Sequence, residues 1–129
     1  MKKILALILV FSLLASLAAC ANVTKISVSD PAGLQVEKKG GSVAVTLTDA
    51  KTVQNITNVI CQIPLEKAED NGEDWNYRVT WLDADGDRIS RVEIAGSMIR
   101  WNGQAYKFSI GVDLSVLTNA LESIPGLNK

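Results

Sequence analysis

The chain has 129 residues, of which 13 are basic and 14 acidic, and it contains no histidine. A formal charge of −1 lacks the basic surplus that nucleic-acid-binding proteins carry. The absence of histidine excludes Ser-His-Asp and Cys-His catalysis, histidine-based zinc sites and a histidine pH switch.

The N-terminal segment has the layout of a secretory signal. Lys2 and Lys3 precede an uncharged, largely apolar run at residues 4–19, as in signal peptides. The run is shorter than the ~18 to 20 residues that a membrane-spanning helix needs. It ends in Leu-Ala-Ala-Cys at residues 17–20, which resembles the lipobox of bacterial lipoproteins. The resemblance implies that residues 1–19 are cleaved and that Cys20 carries a thioether-linked diacylglycerol.

A lipidated Cys20 would tether residues 20–129, as a single domain, to the outer side of a bacterial membrane. Ala21 is not the acidic retention signal that some Gram-negative bacteria read, so sorting to an outer membrane would be permitted in such a host. Cleavage leaves 110 of the 129 residues, enough for one domain with a core. No cofactor is expected beyond the acyl lipid, and no disulfide, because Cys61 is the only other cysteine.

Three stretches of alternating apolar and polar residues then predict three half-buried strands. Their apolar positions are Ile26 and Val28, then Leu34 and Val36, then Val43, Val45 and Leu47. A two-residue hairpin at Gly40-Gly41 would pair Val36 with Val45 and Leu34 with Leu47. Pairing the first strand with the second requires a bulge at Gly33.

Thr48 or Asp49 is expected to cap an amphipathic helix that ends at Pro64. Its apolar stripe consists of Val53, Ile56, Val59, Ile60 and Ile63. Cys61 falls at the edge of the stripe, which predicts a half-buried structural thiol of ordinary or raised pKa. The acidic stretch at residues 66–74 is expected to be a solvated loop, with loose calcium binding as the alternative.

The next stretch, residues 75–110, predicts a four-stranded antiparallel meander. Its turns are Asp85-Gly86, Gly96-Ser97 and Asn102-Gly103. They pair Trp81 with Ser90, Val79 with Val92, Tyr77 with Ile94, Ile94 with Ile99, Val92 with Trp101 and Ile99 with Tyr106. The same face continues through Phe108 and Ile110, and the other face carries Arg78, Glu93 and Arg100 as neighbours. Three separately placed turns thus yield one uninterrupted apolar face, which supports the registers.

Asp113 is expected to cap a second amphipathic helix, which Pro125-Gly126 ends. Its apolar side contains Leu114, Leu117 and Leu121, with Val116 beside them. The predicted fold is α+β, with an antiparallel sheet of the meander plus the N-terminal strands and both helices on one face. Over about residues 43–122, this order of helices and hairpin turns is similar to small surface lipoproteins of unassigned function from Gram-positive bacteria. The resemblance carries over no functional residue.

No residue is assigned as catalytic or as a metal ligand. Asp83, Asp85 and Asp87 surround Gly86 as in a calcium loop. Placing Gly86 at the sixth loop position, however, puts Trp81 and Val92 where carboxylates are required. A hairpin turn explains these residues better. No pair of carboxylates stands out as a glycosidase pair, and the aromatic residues share the parity of the predicted core.

The sheet face opposite the core carries a surplus of positive charge. Parity places on it Arg78, Arg91, Arg100 and Lys107, with Glu93 expected as the only acid. One interpretation is a solvated face with a cross-strand ion-pair ladder. The other is a docking face for an anionic partner such as wall polymer, lipid head groups or an acidic protein.

The sequence therefore favours a membrane-anchored, extracytoplasmic lipoprotein that acts as a non-catalytic interaction or accessory module of the cell envelope. It leaves open an alternative, an envelope enzyme or peptidase-type inhibitor whose site lies in a loop without a recognised motif. A concave pocket with converging polar groups would favour the enzyme, whereas a docking module can lack such a pocket.

Overall fold

The computed structural model describes residues 23–41, 44–109 and 111–127. The predicted signal segment, Cys20, Val43 and Ile110 lie outside the described residues. Within the described ranges the elements are β1 Gly33–Lys38, β2 Val45–Leu47, α1 Ala50–Cys61, β3 Leu65–Lys67, β4 Tyr77–Leu82, β5 Arg88–Ala95, β6 Met98–Trp101, β7 Gln104–Phe108 and α2 Leu114–Glu122. The predicted α+β class with an antiparallel sheet is confirmed. In these ranges no helix is both long and apolar enough to span a bilayer.

All seven strands form one antiparallel sheet in the order β2-β1-β4-β5-β6-β7-β3. The meander β4 to β7 has the predicted registers. They include Tyr77 opposite Ile94, Val79 opposite Val92, Trp81 opposite Ser90, Val92 opposite Trp101, Ile94 opposite Ile99 and Ile99 opposite Tyr106. The β1–β2 hairpin is also confirmed, with Leu34 opposite Leu47 and Val36 opposite Val45. Where a turn sequence separates two apolar runs, the registers follow from the sequence.

The β4–β5 turn is wider than a two-residue hairpin. The register shifts after Trp81, so that Leu82 faces Arg88. Asp83 explains the width, because its side-chain Oδ1 accepts hydrogen bonds from the backbone N–H groups of both Asp85 and Asp87 at 2.9 Å. This carboxylate shapes the turn, as Asn and Asp side chains commonly do.

The strand predicted around Ile26 and Val28 is wrong. Residues 25–29 form no strand, and the only pairing there is a single bridge between Thr24 and Leu65. β1 pairs with β4 instead, and Gly33 faces Leu82 without a bulge. This pairing places the apolar side of β1 beside the apolar side of β4. The N-terminal segment could align its apolar residues with those of β1 only through a bulge. Ile26 is nevertheless buried in the core.

β3 was not expected, because residues 66–74 were predicted to be loop. The strand Leu65–Lys67 pairs with β7, and Leu65 faces Phe108. A three-residue strand next to a proline has too few alternations to give a periodic signal. Leu65 is fully inaccessible to solvent, and its burial stabilises a strand whose other two residues, Glu66 and Lys67, are polar.

The helices cover one face of the sheet and form the core with it. α1 begins at the N-cap Asp49 and buries Val53, Ile56, Thr57 and Ile60, whereas α2 begins at Asp113 and buries Leu117 and Leu121. Among the described residues, the buried core extends from Ile26 to Leu127. Val116 departs from expectation, since it is 56% exposed and lines a shallow apolar groove with Val59, Ile63 and Pro64.

Candidate functional site

The sheet face opposite the helices, called here the open face, carries the basic residues singled out from the sequence. Register places Arg78 of β4, Arg91 of β5 and Arg100 of β6 on this face. Lys107 of β7 follows, because Ala105 faces Arg100 and Lys107 lies two residues further along. Four neighbouring strands thus each contribute one basic side chain.

The expectation that Glu93 is the only acid on this face is wrong. The unexpected neighbour β1 places Glu37 opposite Arg78, and the unexpected strand β3 places Glu66 opposite Lys107. Asp70 joins from the chain that follows β3, in an ion pair with Arg100. The open face is therefore a mixed ionic surface, and the acids other than Glu93 come from β1 and from β3 with the chain that follows it.

Arg78 is held between two carboxylates. Its Nε and Nη2 atoms donate to Glu93 Oε2 at 3.0 and 2.8 Å, and Nη1 donates to Glu37 Oε2 at 3.2 Å. The hydrogen bonds to Glu93, more than the contact with Glu37, raise the pKa of Arg78. The Trp75 ring lies 4.3 Å from the guanidinium carbon, a cation–π distance. The charge of Arg78 is thus matched within the protein.

The segment of residues 68–76, called here the strap, crosses the open face. It must cross because β3 lies at one edge of the sheet, beside β7, whereas β4 lies between β1 and β5. The strap leaves β3 with Ala68 N donating to Ala105 O, and it reaches β4 where Asn76 Oδ1 accepts from Gly96 N at 2.7 Å. The acidic stretch predicted to be solvated is therefore laid over the basic strands.

The strap is fastened at Arg100. Arg100 Nε and Nη2 donate to the two carboxylate oxygens of Asp70, each at 2.8 Å, and Nη2 also donates to Glu73 O. This is the bidentate geometry that suits a planar guanidinium. The contact lowers the pKa of Asp70 and raises that of Arg100. Arg100 retains only 19% exposure of its side chain, whereas Asp70 is 51% exposed.

Arg91 and Lys107 differ from the other two basic residues, since neither has an ion pair within the described ranges. Arg91 Nε donates to Thr80 Oγ1 at 3.0 Å, a neutral acceptor that leaves the positive charge unmatched. Lys107 is exposed. Lys107 lies opposite Glu66, which has no ion pair among the described residues either, whereas Arg91 lies opposite the neutral Thr80.

A cleft of about 350 Å³ lies beside Asp70 of the strap, over β5, β6 and the start of β7. Its walls include Asp70, Arg91, Glu93, Arg100 and Gln104. Both of its carboxylates are engaged by arginines, Asp70 by Arg100 and Glu93 by Arg78. The unmatched guanidinium of Arg91 is the group in this cleft that can attract a negatively charged ligand.

Cys61 lies away from the open face, at the end of α1. It is half-buried, and desolvation raises the pKa of its thiol. A raised pKa lowers the thiolate fraction at neutral pH and with it the reactivity. Both features agree with the structural role predicted for this residue.

The chain matches no protein-family model, no curated protein and no solved structure. The function is therefore argued from the residues of the open face themselves. Parity found its four basic side chains, but it did not find Glu37 or Asp70. One signal was available for Asp70, since an acidic run directly preceding a basic meander favours contact by simple charge complementarity.

Proposed function

We propose that the protein is a lipid-tethered, extracytoplasmic lipoprotein that docks through the open face onto an anionic partner in the cell envelope. It acts as a non-catalytic interaction module. The observation that carries the proposal is the location of Arg91 and Lys107, two basic side chains without an ion pair among the described residues, on one face of the sheet. Arg78 and Arg100, which are neutralised by Glu93 and Asp70, serve to shape that face.

The position of the tether favours lipid head groups among the anionic partners. Thr24 bridges to Leu65 of β3, and β3 is the neighbour of β7, which carries Lys107. Cys20 and Thr24 are four steps apart in the chain, so their Cα atoms lie at most about 14 Å from each other. A lipid on Cys20 would hold this sheet edge close to the bilayer, where the potential of anionic head groups decays over ~8 Å at physiological salt.

The chemistry of the cleft supports binding rather than catalysis. A general acid needs a carboxyl group with a raised pKa, whereas Arg100 lowers the pKa of Asp70. Glu93 accepts two hydrogen bonds from Arg78, so it too is engaged in a salt bridge. With no histidine in the sequence, the described cleft contains no nucleophile paired with a base.

Vesicle binding tests the proposal. Soluble protein of residues 21–129 should bind vesicles of phosphatidylglycerol, and salt should weaken the binding. Replacement of both Arg91 and Lys107 by Gln should weaken it roughly 30-fold at low salt, at about 1 kcal/mol for each charge near an anionic surface. Sedimentation of protein with the vesicles measures the affinity.

Lys51→Gln provides the matched control. Lys51 is an exposed lysine of α1, on the helical side of the sheet, so its loss changes the net charge without changing the open face. Failure of the wild-type protein to bind phosphatidylglycerol vesicles at low salt would refute the proposal. So would an equal loss of binding in Lys51→Gln and in Arg91→Gln or Lys107→Gln made singly. Binding to soluble wall polymer in place of vesicles would reassign the partner.

A further inference from the structure

The bidentate contact between Asp70 and Arg100 resembles the way an arginine holds a phosphate group. A carboxylate and a phosphate both offer two oxygens at the spacing of two guanidinium N–H groups. Asp70 places its oxygens at 2.8 Å from Nε and Nη2 of Arg100, so the protein's own side chain occupies a position suited to an anionic ligand.

A second arginine faces the same position. Arg91 and Arg100 both line the cleft next to Asp70. On the strand pair β5–β6, Glu93 faces Arg100, and Arg91 lies two residues before Glu93, which makes Arg91 the diagonal neighbour of Arg100. Diagonal cross-strand neighbours lie within reach of each other's long side chains. One anion in the cleft can therefore contact both guanidinium groups.

The two arginines do not share the resident carboxylate. Of the two arginines, only Arg100 donates to Asp70. Arg91 donates through Nε to Thr80 Oγ1, and its terminal nitrogens have no hydrogen-bond partner among the described residues. A lipid phosphodiester has two non-bridging oxygens, as a carboxylate does, but it is not fixed to the strap and can lie between the two guanidinium groups and accept from both, whereas Asp70 accepts from one. The strap thus occupies the anion-binding position at Arg100 but not the one at Arg91.

The strap is attached in a way that allows exchange. Asp70 is 51% exposed. Gly72, two residues further along the strap, has a positive φ of 75°, a conformation that glycine adopts without strain. Other residues also hold the strap: Glu73 O accepts from Arg100, and the Trp75 ring lies over Arg78. The two ends are fixed by Ala68, which bonds to Ala105 and Gln104, and by Asn76, which accepts from Gly96. Removal of Asp70 from Arg100 leaves Trp75 over Arg78 as an independent point of attachment.

We propose that the cleft is a binding site for a lipid head-group phosphate, which displaces Asp70 and bridges Arg91 and Arg100. The inference rests on the proposed function and adds two things to it, the phosphate as the recognised group and Asp70 as a built-in competitor. Docking on the membrane then exchanges one ion pair for another, so the strap sets the threshold of head-group density at which the module binds.

The test compares two variants of equal charge. Asp70→Asn removes the competitor, and Glu69→Gln removes the neighbouring exposed carboxylate, which has no recorded partner in the described ranges. Asp70→Asn should strengthen binding to phosphatidylglycerol vesicles about 3- to 10-fold. This factor corresponds to the free energy of one ion pair that is exposed or partly buried. Glu69→Gln should change it less than about 2-fold. Soluble protein of residues 21–129, which contains every described residue, is used for each variant.

A second readout is independent of vesicles. In a titration with inorganic phosphate, the side-chain Nε–H resonances of both Arg91 and Arg100 should shift, and the Asp70→Asn protein should reach saturation at lower phosphate than wild type. Arg91→Gln in the Asp70→Asn background should abolish the gain. Thermal melting of each variant confirms that it is folded before the affinities are compared.

The outcomes separate this inference from the proposed function. Equal affinities of Asp70→Asn and Glu69→Gln, with wild-type binding intact, would show that only net charge matters and would overturn the competitor. Weaker binding by Asp70→Asn would overturn it as well. Saturation with inorganic phosphate but not with vesicles would reject the lipid source of the phosphate. Absence of binding to vesicles by any variant, wild type included, would instead refute the proposed function.

Discussion

At the scale of single residues, one buried polar pair links α1 to the centre of the sheet. Trp81 is fully buried, and its Nε1 donates to Thr57 Oγ1 at 2.9 Å. Thr57 in turn donates to the backbone oxygen of Val53 at 2.6 Å, one turn earlier in α1. The hydroxyl thus satisfies an indole N–H that has no access to water, and buried donors of this kind are costly to leave unpaired.

Thr57→Val should therefore destabilise the protein by about 1 to 3 kcal/mol, the cost of an unsatisfied buried donor. Valine keeps the shape of threonine but offers no acceptor to Trp81. Thr57→Ser keeps the hydroxyl and loses one methyl group, for which we expect about 1 kcal/mol or less. Urea unfolding of the soluble protein measures both. A Thr57→Val protein as stable as Thr57→Ser would contradict the role assigned to the hydrogen bond.

The sequence predicted correctly on which face of the sheet each basic residue lies, because alternation along a strand alone determines the face. The faces of Arg78, Arg91, Arg100 and Lys107 follow from alternation within one meander. The partners of these residues required long-range information, because Glu37 arrives through β1 and Asp70 through the strap. A single sequence specifies which way a strand residue points far better than it specifies what approaches from elsewhere in the chain.

At the scale of elements, the C-terminal end of α2 is fastened to the sheet by one carboxylate. Glu122 is the last residue of α2; it accepts a hydrogen bond from the hydroxyl of Tyr77 on β4 and forms an ion pair of 2.9 Å with Lys38 on β1. An acid at a helix C-terminus is disfavoured by the helix dipole. Lys38 supplies the compensating positive charge.

This contact predicts a measurable alkaline titration. Burial, together with the hydrogen bond to Glu122 and its charge, raises the pKa of Tyr77 to about 12. Because the folded-state pKa is raised above the ordinary value of about 10, the stabilisation is complete below pH 10 and is lost as the pH rises towards 12. Tyr77→Phe should cost about 1 kcal/mol at neutral pH.

The measurement combines ultraviolet titration of the phenol groups with denaturant unfolding at several pH values. One of the two tyrosines should ionise near pH 12 in wild type, and that step should be missing in Tyr77→Phe. The stability difference between the two proteins should shrink above pH 10. Ionisation of Tyr77 at its ordinary pKa would show that α2 is not fastened in this way.

Prediction of elements from the sequence depended on the distance between partners. The hairpins β1–β2, β4–β5, β5–β6 and β6–β7 each have a turn sequence between their strands, and each was found with its register. The pairings β1–β4 and β3–β7 join segments with a helix or several strands between them, and no local pattern signals them. Short edge strands such as Leu65–Lys67 are the elements that a periodicity analysis loses first.

At the scale of the whole molecule, the two sides of the sheet differ in chemistry. The helical side buries the core and presents apolar grooves along α1 and α2, lined by residues such as Val59, Val116 and Ile124. The open face carries the ionic network and the strap. This division gives the described protein one charged side and one side that packs the fold together.

The tether itself is tested by Cys20→Ser. The thiol of Cys20 is the proposed acceptor of the diacylglycerol, and serine lacks the nucleophilic sulfur, so the variant should remain unlipidated and be released from the membrane fraction. Metabolic labelling with a radioactive fatty acid detects the lipid, and Cys61→Ser provides the control that should still be labelled. Incorporation of label into the Cys20→Ser protein would place the acyl group elsewhere.

The path of the strap also has a consequence for the order in which the chain assembles. During synthesis Leu65 emerges more than 40 residues ahead of Phe108, its partner in β7, so β3 has no neighbour until the meander is complete. The meander, built from adjacent hairpins, closes its contacts over short loops and should form first, since local contacts form fastest. Only then can β3 dock on β7 and draw residues 68–76 across the finished sheet. The cleft therefore forms only after the meander, and a nascent chain exposes Arg100 to any nearby anion until Asp70 reaches it.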